Sequence, residues 1–192
     1  MRLPVTLKVS DRATGSEVAA RIRRTIFSDI LQWRSWVYAA DAQDGDWDWM
    51  AIFAEAIRDP RRFECYSLIV GGDLHCLMRL DARGRHVRGV RWLIIEYLAT
   101  NPIDRDKNAG IKYLGESMVA VATERSLEHN LEGRVWLESL PGAEKFYDNL
   151  GFERLKRRSK EGYQTYLLDS NTALQLLTAI KRRREWKNAQ KV

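Results

Sequence analysis

The stretch Val90 to Thr100, Val-Arg-Trp-Leu-Ile-Ile-Glu-Tyr-Leu-Ala-Thr, constrains the fold more than any other part of this chain. In a strand, successive side chains point to opposite faces, so Trp92, Ile94, Glu96 and Leu98 share one side and Leu93, Ile95 and Tyr97 the other. Both sides are largely apolar. A strand of that kind is stable inside a sheet that is covered on each face by helices or by another layer. Glu96 is the one acid on it, and burying a carboxylate is costly unless it is paired or serves chemistry.

The remaining elements are arranged around this strand. Leu3 to Val9 alternates apolar and polar residues, and Asp11, Gly15 and Ser16 after it read as a turn and a helix cap. From Glu17 to about Ala40, Val18, Ile22, Ile26, Ile30, Trp33 and Val37 recur at helical spacing, which predicts one long helix or two joined ones. A second helix is expected from Asp48 to Arg58, stopped by Asp59-Pro60. Phe63 to Val70 and Leu74 to Leu80 flank Gly71-Gly72, a hairpin signal, and Asp81-Ala82-Arg83-Gly84 reads as a further turn. After Asn101-Pro102, a loop from Arg105 to Gly110 is expected to open a helix carrying Ile111, Leu114, Met118 and Val121, ending near His129-Asn130. Arg134 to Leu140 reads as a strand. Pro141 then starts a short helix that Gly151 ends, and Phe152 to Arg157 pairs with Tyr163 to Leu168. A last helix, from about Thr172 to Trp186, would turn Leu174, Leu177 and Ile180 inward. This order of elements predicts an α/β domain with a mixed sheet.

With 192 residues, 45% of them hydrophobic and 30% charged, the chain can bury a sizeable core, and a single domain is expected. The apolar runs Trp92 to Ile95 and Met118 to Ala122 are far shorter than the ~20 residues of a membrane-spanning helix. Cys65 and Cys76 lie in apolar strand-like segments without C-x-x-C spacing, so they read as reduced core residues of a cytoplasmic protein. The net charge of +6 favours polyanionic partners, and much of it sits in Lys156-Arg157-Arg158-Ser159-Lys160 and Lys181-Arg182-Arg183-Arg184. His75, His86 and His129 have neither metal-ligand nor triad spacing. The aspartate-rich stretch from Asp41 to Asp48 lacks the ligand spacing of a calcium loop.

Two motifs carry chemistry. Arg105-Asp106-Lys107-Asn108-Ala109-Gly110 reads as a loop whose backbone amides face an anion at a helix start, where the first N–H groups lack intrahelical partners. Phe146-Tyr147-Asp148-Asn149-Leu150-Gly151-Phe152 puts a phenol on a short helix that a glycine ends. With Leu98-Ala99-Thr100-Asn101-Pro102 at the end of the central strand, these motifs resemble the GNAT superfamily of N-acetyltransferases. The acetyl-CoA loop of that family has the pattern Q/R-x-x-G-x-G/A between its fourth strand and third helix. Arg105, Asn108 and Gly110 occupy the defining positions, with Asn108 in place of the usual glycine. Ala143-x-x-Phe146-Tyr147-x-x-x-Gly151-Phe152 resembles the family's fourth helix and the strand that follows. Leu140 departs from an asparagine common in relatives.

The resemblance implies a GNAT-like mixed, mostly antiparallel sheet of about seven strands flanked by helices. It spans roughly Leu3 to Leu168; the expected GNAT-like domain is residues 1–169, with residues 170–192 expected as an added amphipathic, basic C-terminal helix on which the resemblance is silent. It also implies acetyl-CoA as co-substrate, no metal, and direct attack of a primary amine on the thioester. In that scheme Tyr147 is the general acid, Glu96 the base and Glu138 the reserve base. Leu98, Ala99, Thr100, Arg105, Asp106, Lys107, Asn108, Ala109, Gly110 and Ile111 would hold the cofactor. Around the acceptor, Trp33, Trp36, Asp44 and Asp46 would suit a cationic amine by cation–π contact and ion pairing. The acceptor is a small molecule, a peptide or an aminoacyl-tRNA, and a homodimer is the family's common state. The competing expectation is a catalytically weak or inactive GNAT-like module that binds nucleic acid, through the basic C-terminal region, or a protein partner.

Overall fold

The computed structural model describes residues 5–106 and 108–185. Leu3, Pro4, Lys107 and Trp186, each part of an expectation above, lie outside the described residues, as do the side chains of the Lys181–Arg184 run. The strands are β1 Val5–Asp11, β2 Glu17–Arg24, β3 Phe63–Val70, β4 Asp73–Val87, β5 Val90–Thr100, β6 Ile111–Lys112, β7 Val135–Ser139, β8 Glu153–Arg158 and β9 Gln164–Leu168. The helices are α1 Phe27–Trp33, α2 Trp49–Arg58, α3 Leu114–Glu128, α4 Glu144–Asn149 and α5 Ser170–Glu185.

The strands hydrogen-bond in the order β6-β1-β2-β3-β4-β5-β7-β9-β8. β5 and β7 are parallel, in register from Leu93↔Val135 to Ile95↔Leu137. β1 with β2, β1 with β6, β2 with β3, β7 with β9 and β8 with β9 are antiparallel. The expected mixed, mostly antiparallel sheet is therefore present, with β5 inside it. It has nine strands among the described residues instead of about seven. The two extra strands, β2 and β6, both come from segments read as helical.

By compactness the chain divides into Met1–Leu80 with Tyr97–Met118, and Asp81–Glu96 with Val119–Val192. In the first unit, Glu17 to Arg24 is a strand, not the start of a long helix. Val18, Ile22, Ile26 and Ile30 are four residues apart, and a period of two fits that spacing as well as a helical period does. Burial separates the alternatives: Ala20 and Ile22 are buried on one side of β2, whereas Ile26 and Val37 are exposed. The predicted helix cap is a hairpin turn, in which the Asp11 carboxylate accepts from the amides of Ala13 and Thr14 at 2.8 and 3.0 Å. α1 begins only at Phe27, where Asp29 reaches back to the Ile26 amide at 3.0 Å and accepts from both terminal nitrogens of Arg23. α2 is capped by Asp48, which accepts from Met50 and Ala51. Its apolar face packs Trp49, Ile52 and Phe53 with Ile30, Phe63, Leu74, Leu77 and Ala99. Both cysteines are buried, and burial pushes the Cys76 thiol well above its ordinary pKa.

In the second unit, Asp81 to Gly84 does not end a strand. β4 continues to Val87 and turns at Arg88-Gly89, with φ of 53° and 80° at the two turn residues. Positive φ at both central residues is what a two-residue hairpin of matching twist requires, and Arg88 was not an obvious signal for it. Gly84 has φ of 68° inside β4, and a Cβ there would lie 2.3 Å from the Trp92 carbonyl oxygen, so only glycine fits. Trp92, Trp136 and Leu167 form one apolar cluster. From Met118 to Thr123 α3 is buried on all sides, which explains why its apolar residues do not fall on a single stripe. On α5, Leu177 and Ile180 pack on Ala120 as expected, whereas Leu174 is exposed.

Candidate functional site

The loop after β5 is built around an internal acid. Pro102–Arg105 forms a single 3-10 turn, capped by the Asn101 side chain, which accepts from the Ile103 amide. This turn buries Asp104. One Asp104 oxygen accepts from the Ile111 amide at 2.8 Å, and the other lies 2.8 Å from Nδ1 of His75. Gly110, at φ of 76°, lies against the same carboxylate: a Cβ there would be 2.5 Å from the Asp104 Cα and 2.8 Å from Oδ1. The close approach that Gly110 permits is thus made by Asp104. The Asn108 amide donates to Asp106 at 2.7 Å, a local turn.

The loop does not open directly into a helix. Ile111 and Lys112 pair with Asp11 and Ser10 of β1, and α3 begins at Leu114. Arg105 points its guanidinium back into the protein, to both oxygens of Asp44 and to the Thr100 carbonyl at 2.9 Å. Of the residues expected to hold the cofactor, Arg105 and the Ile111 amide are therefore engaged internally. Leu98 and Thr100 are half-buried on β5 and Ala99 is buried. Asp106 and Asn108 are exposed, and Ala109 and Gly110 are half-buried.

The segment expected to border the acceptor is largely core. Trp36 and Trp49 are buried, while Trp33 and Trp47 pack against the same cluster. Asp44, expected as a partner for a cationic amine, is buried under Arg105. Asp46 is exposed. Tyr38 accepts from the Trp33 indole at 3.3 Å, and Arg105 lies 5.6 Å from its ring centroid. Burial raises the Tyr38 pKa above the ordinary phenol value, with the Asp44 charge adding to the rise.

In the second unit Tyr147 is buried on α4 in a cluster of rings. Phe146, Phe152 and Tyr166 lie 5.0, 5.4 and 5.6 Å away by centroid. The helix is held from β9 by the Tyr166 hydroxyl, which donates to Asp148 at 3.0 Å, and from β8 by Arg154, which pairs with Asp148 and Glu144. Gly151, at φ of 81°, ends it. Glu96 and Glu138 are the residues that follow the last parallel pair, Ile95 and Leu137. Both are half-buried. Desolvation raises the pKa of Glu138, the negative charge of Glu161 raises it further, and Arg85 partly opposes the rise. Among the residues that sequence reasoning missed, Asp104 shapes the loop. Its signal was an acid between Pro102 and Gly110, in a stretch otherwise read as anion-binding.

No family model matches the sequence, and neither does any curated protein. Solved structures do match. AtaTR bound with acetyl-CoA contains a chain 16% identical to this one, with 81% of this chain and 97% of that one covered at a TM-score of 0.57. A tyrosine-to-phenylalanine variant of AtaT bound to the C-terminus of the antitoxin AtaR gives the same score at 83% and 97% coverage. The YlbP N-acetyltransferase of Bacillus subtilis, in complex with coenzyme A, is 11% identical over 79% of this chain and 97% of that one, with a TM-score of 0.52. Together with the mixed sheet and its flanking helices, these likenesses show that the chain has the fold of the GNAT acetyltransferases.

Proposed function

We propose that this protein is an acetyl-CoA-dependent N-acetyltransferase. The observation that carries the proposal is a GNAT fold matched over nearly the whole of an acetyl-CoA-bound structure, on a chain that has a tyrosine on the short helix before β8. Acetyl-CoA would supply an activated acetyl carbon and a thiolate leaving group. The chain must then orient an amine, take up its proton and give a proton to the departing sulfur. Tyr147 is assigned the last task. Glu96 is assigned the first proton and Glu138 is the reserve, its raised pKa making it a stronger base than an exposed carboxylate.

The pyrophosphate is assigned to the residues around Gly110 in a register two residues later than the one read from sequence. With Gly110 as the central glycine, the loop pattern becomes Lys107-x-x-Gly110-x-Lys112, with a lysine at its first position and Lys112 in place of the small residue at its last. This register ends next to the first turn of α3, where the helix dipole favours an anion. The positive φ of Gly110 and the helix start at Leu114 support it. Arg105 then serves to brace the loop.

A second reading, a GNAT-like module that binds without catalysis, is favoured by the same internal bonds of Arg105 and of the Ile111 amide, and by Glu116 in the first turn of α3. Thiol release from acetyl-CoA in the presence of an amine panel separates the two. Amine-dependent release supports the enzyme, and none with polyamines, peptides or aminoacyl-tRNA supports the module.

A further inference from the structure

The second unit holds a cavity of ≈ 580 Å³, in the size range of small-molecule sites. Its lining comes from β4, β7, β8, β9 and the turn between β8 and β9. Trp136 belongs to the apolar cluster beside it, and Glu138 follows two residues later on β7, so both point to the same side of the sheet. The Arg85 guanidinium lies over the Trp136 ring, 4.7 Å from its centroid, and 4.0 Å from a Glu138 oxygen. Its side chain nevertheless remains 56% exposed. Two further cations, Arg157 and Lys160, line the cavity and have no acidic partner among the described residues. Glu138 and Glu161 also line the cavity, but Arg85, Arg157, Arg158 and Lys160 outnumber them, and a low-dielectric wall focuses the excess positive field into the opening.

We infer that this cavity binds a nucleotide phosphate, with Arg157 and Lys160 on the phosphate oxygens and the base stacked on the Arg85 guanidinium above Trp136. Planar guanidinium and ammonium groups both recognise phosphate, and bases stack on arginine planes as they do on aromatic rings. Glu138, two residues along β7 from Trp136, is placed to accept from an amino group on a base edge, the pairing that carboxylates make with such donors. The same chemistry is offered by a free nucleotide and by a nucleotide within a strand. The cavity shares Glu138, the reserve base of the proposed reaction, but nucleotide binding there is measured without acetyl transfer.

The test is equilibrium binding of adenosine 5′-monophosphate and of a fluorescein-labelled single-stranded RNA, with acetyl-CoA titrated in parallel because it too carries an adenosine phosphate. For the exposed pair Arg157→Ala/Lys160→Ala we expect about tenfold or greater loss of nucleotide or RNA affinity, a salt slope shallower by about one to two, and unchanged acetyl-CoA affinity. Arg85→Lys, which keeps the charge and removes the plane, should weaken binding of the nucleotide but not of inorganic phosphate. Tight binding of the monophosphate identifies a free-nucleotide site, and binding of the strand alone identifies a polynucleotide site. The inference is overturned if neither probe binds, if the double variant binds as the wild type does, or if acetyl-CoA affinity falls in parallel.

Discussion

Arg105 and Asp44, 61 positions apart in the sequence, close a bidentate ion pair that ties the turn before the Gly110 loop to the segment between α1 and α2. A pair with a buried carboxylate contributes little net stability against an apolar substitute, yet removing one partner strands the other charge. Since Arg105 keeps some exposure, Asp44→Ala should cost about 1–3 kcal/mol rather than the larger values seen for fully buried pairs. Thermal unfolding measures it, with an expected drop of several degrees. A variant melting with the wild type would remove the pair from any bracing role.

At Gly110 a side chain meets a doubly unfavourable site: φ is positive and Asp104 fills the space. Gly110→Ala should therefore shift the loop, lower stability by about 1–3 kcal/mol and weaken acetyl-CoA binding at least about tenfold. Unchanged cofactor affinity in a folded variant would place the pyrophosphate elsewhere.

If Tyr147 protonates the leaving sulfur, Tyr147→Phe keeps the ring packing with Phe146, Phe152 and Tyr166 while removing the acid. Turnover should fall by about 10²-fold or more, with acetyl-CoA affinity nearly unchanged. Equal loss in both would mean a binding role, and no loss in either would assign the proton to another group.

Glu138 gives a pH signature. Desolvation and Glu161 raise its pKa in the folded protein above the ordinary value of 4.5. Between the unfolded and folded values the folded state holds the extra proton, so this group's contribution to stability is present below that window and is lost as pH rises through it. Glu138→Gln removes the loss. Across a series of melts from pH 4 to pH 8, the variant should gain on the wild type as pH rises. A constant difference would mean that Glu138 does not titrate abnormally.

The parts of the fold that were legible are those with local determinants. Apolar residues on both sides located β5 inside the sheet, Gly71-Gly72 located the β3–β4 turn, and Asp48 located the start of α2. β2 was misread because its four-residue spacing suits both periods and only tertiary burial of Ala20 and Ile22 decides between them. The length of β4 was missed because Gly84 has a turn-like φ yet stays within the strand. At the candidate site, the motif around Tyr147 was legible through its glycine stop. The loop was not, because the partners of Arg105 and Ile111, namely Asp44 and Asp104, are set by packing that no local pattern encodes.

The central claim is that a chain with a GNAT fold and an internally braced Gly110 loop still holds acetyl-CoA. Calorimetric titration of the purified protein with acetyl-CoA, and separately with coenzyme A, tests it directly. The account predicts saturable binding of both in the micromolar range, lost in Gly110→Ala. No heat of binding from either at millimolar ligand would contradict it and leave a GNAT scaffold that works by contact alone.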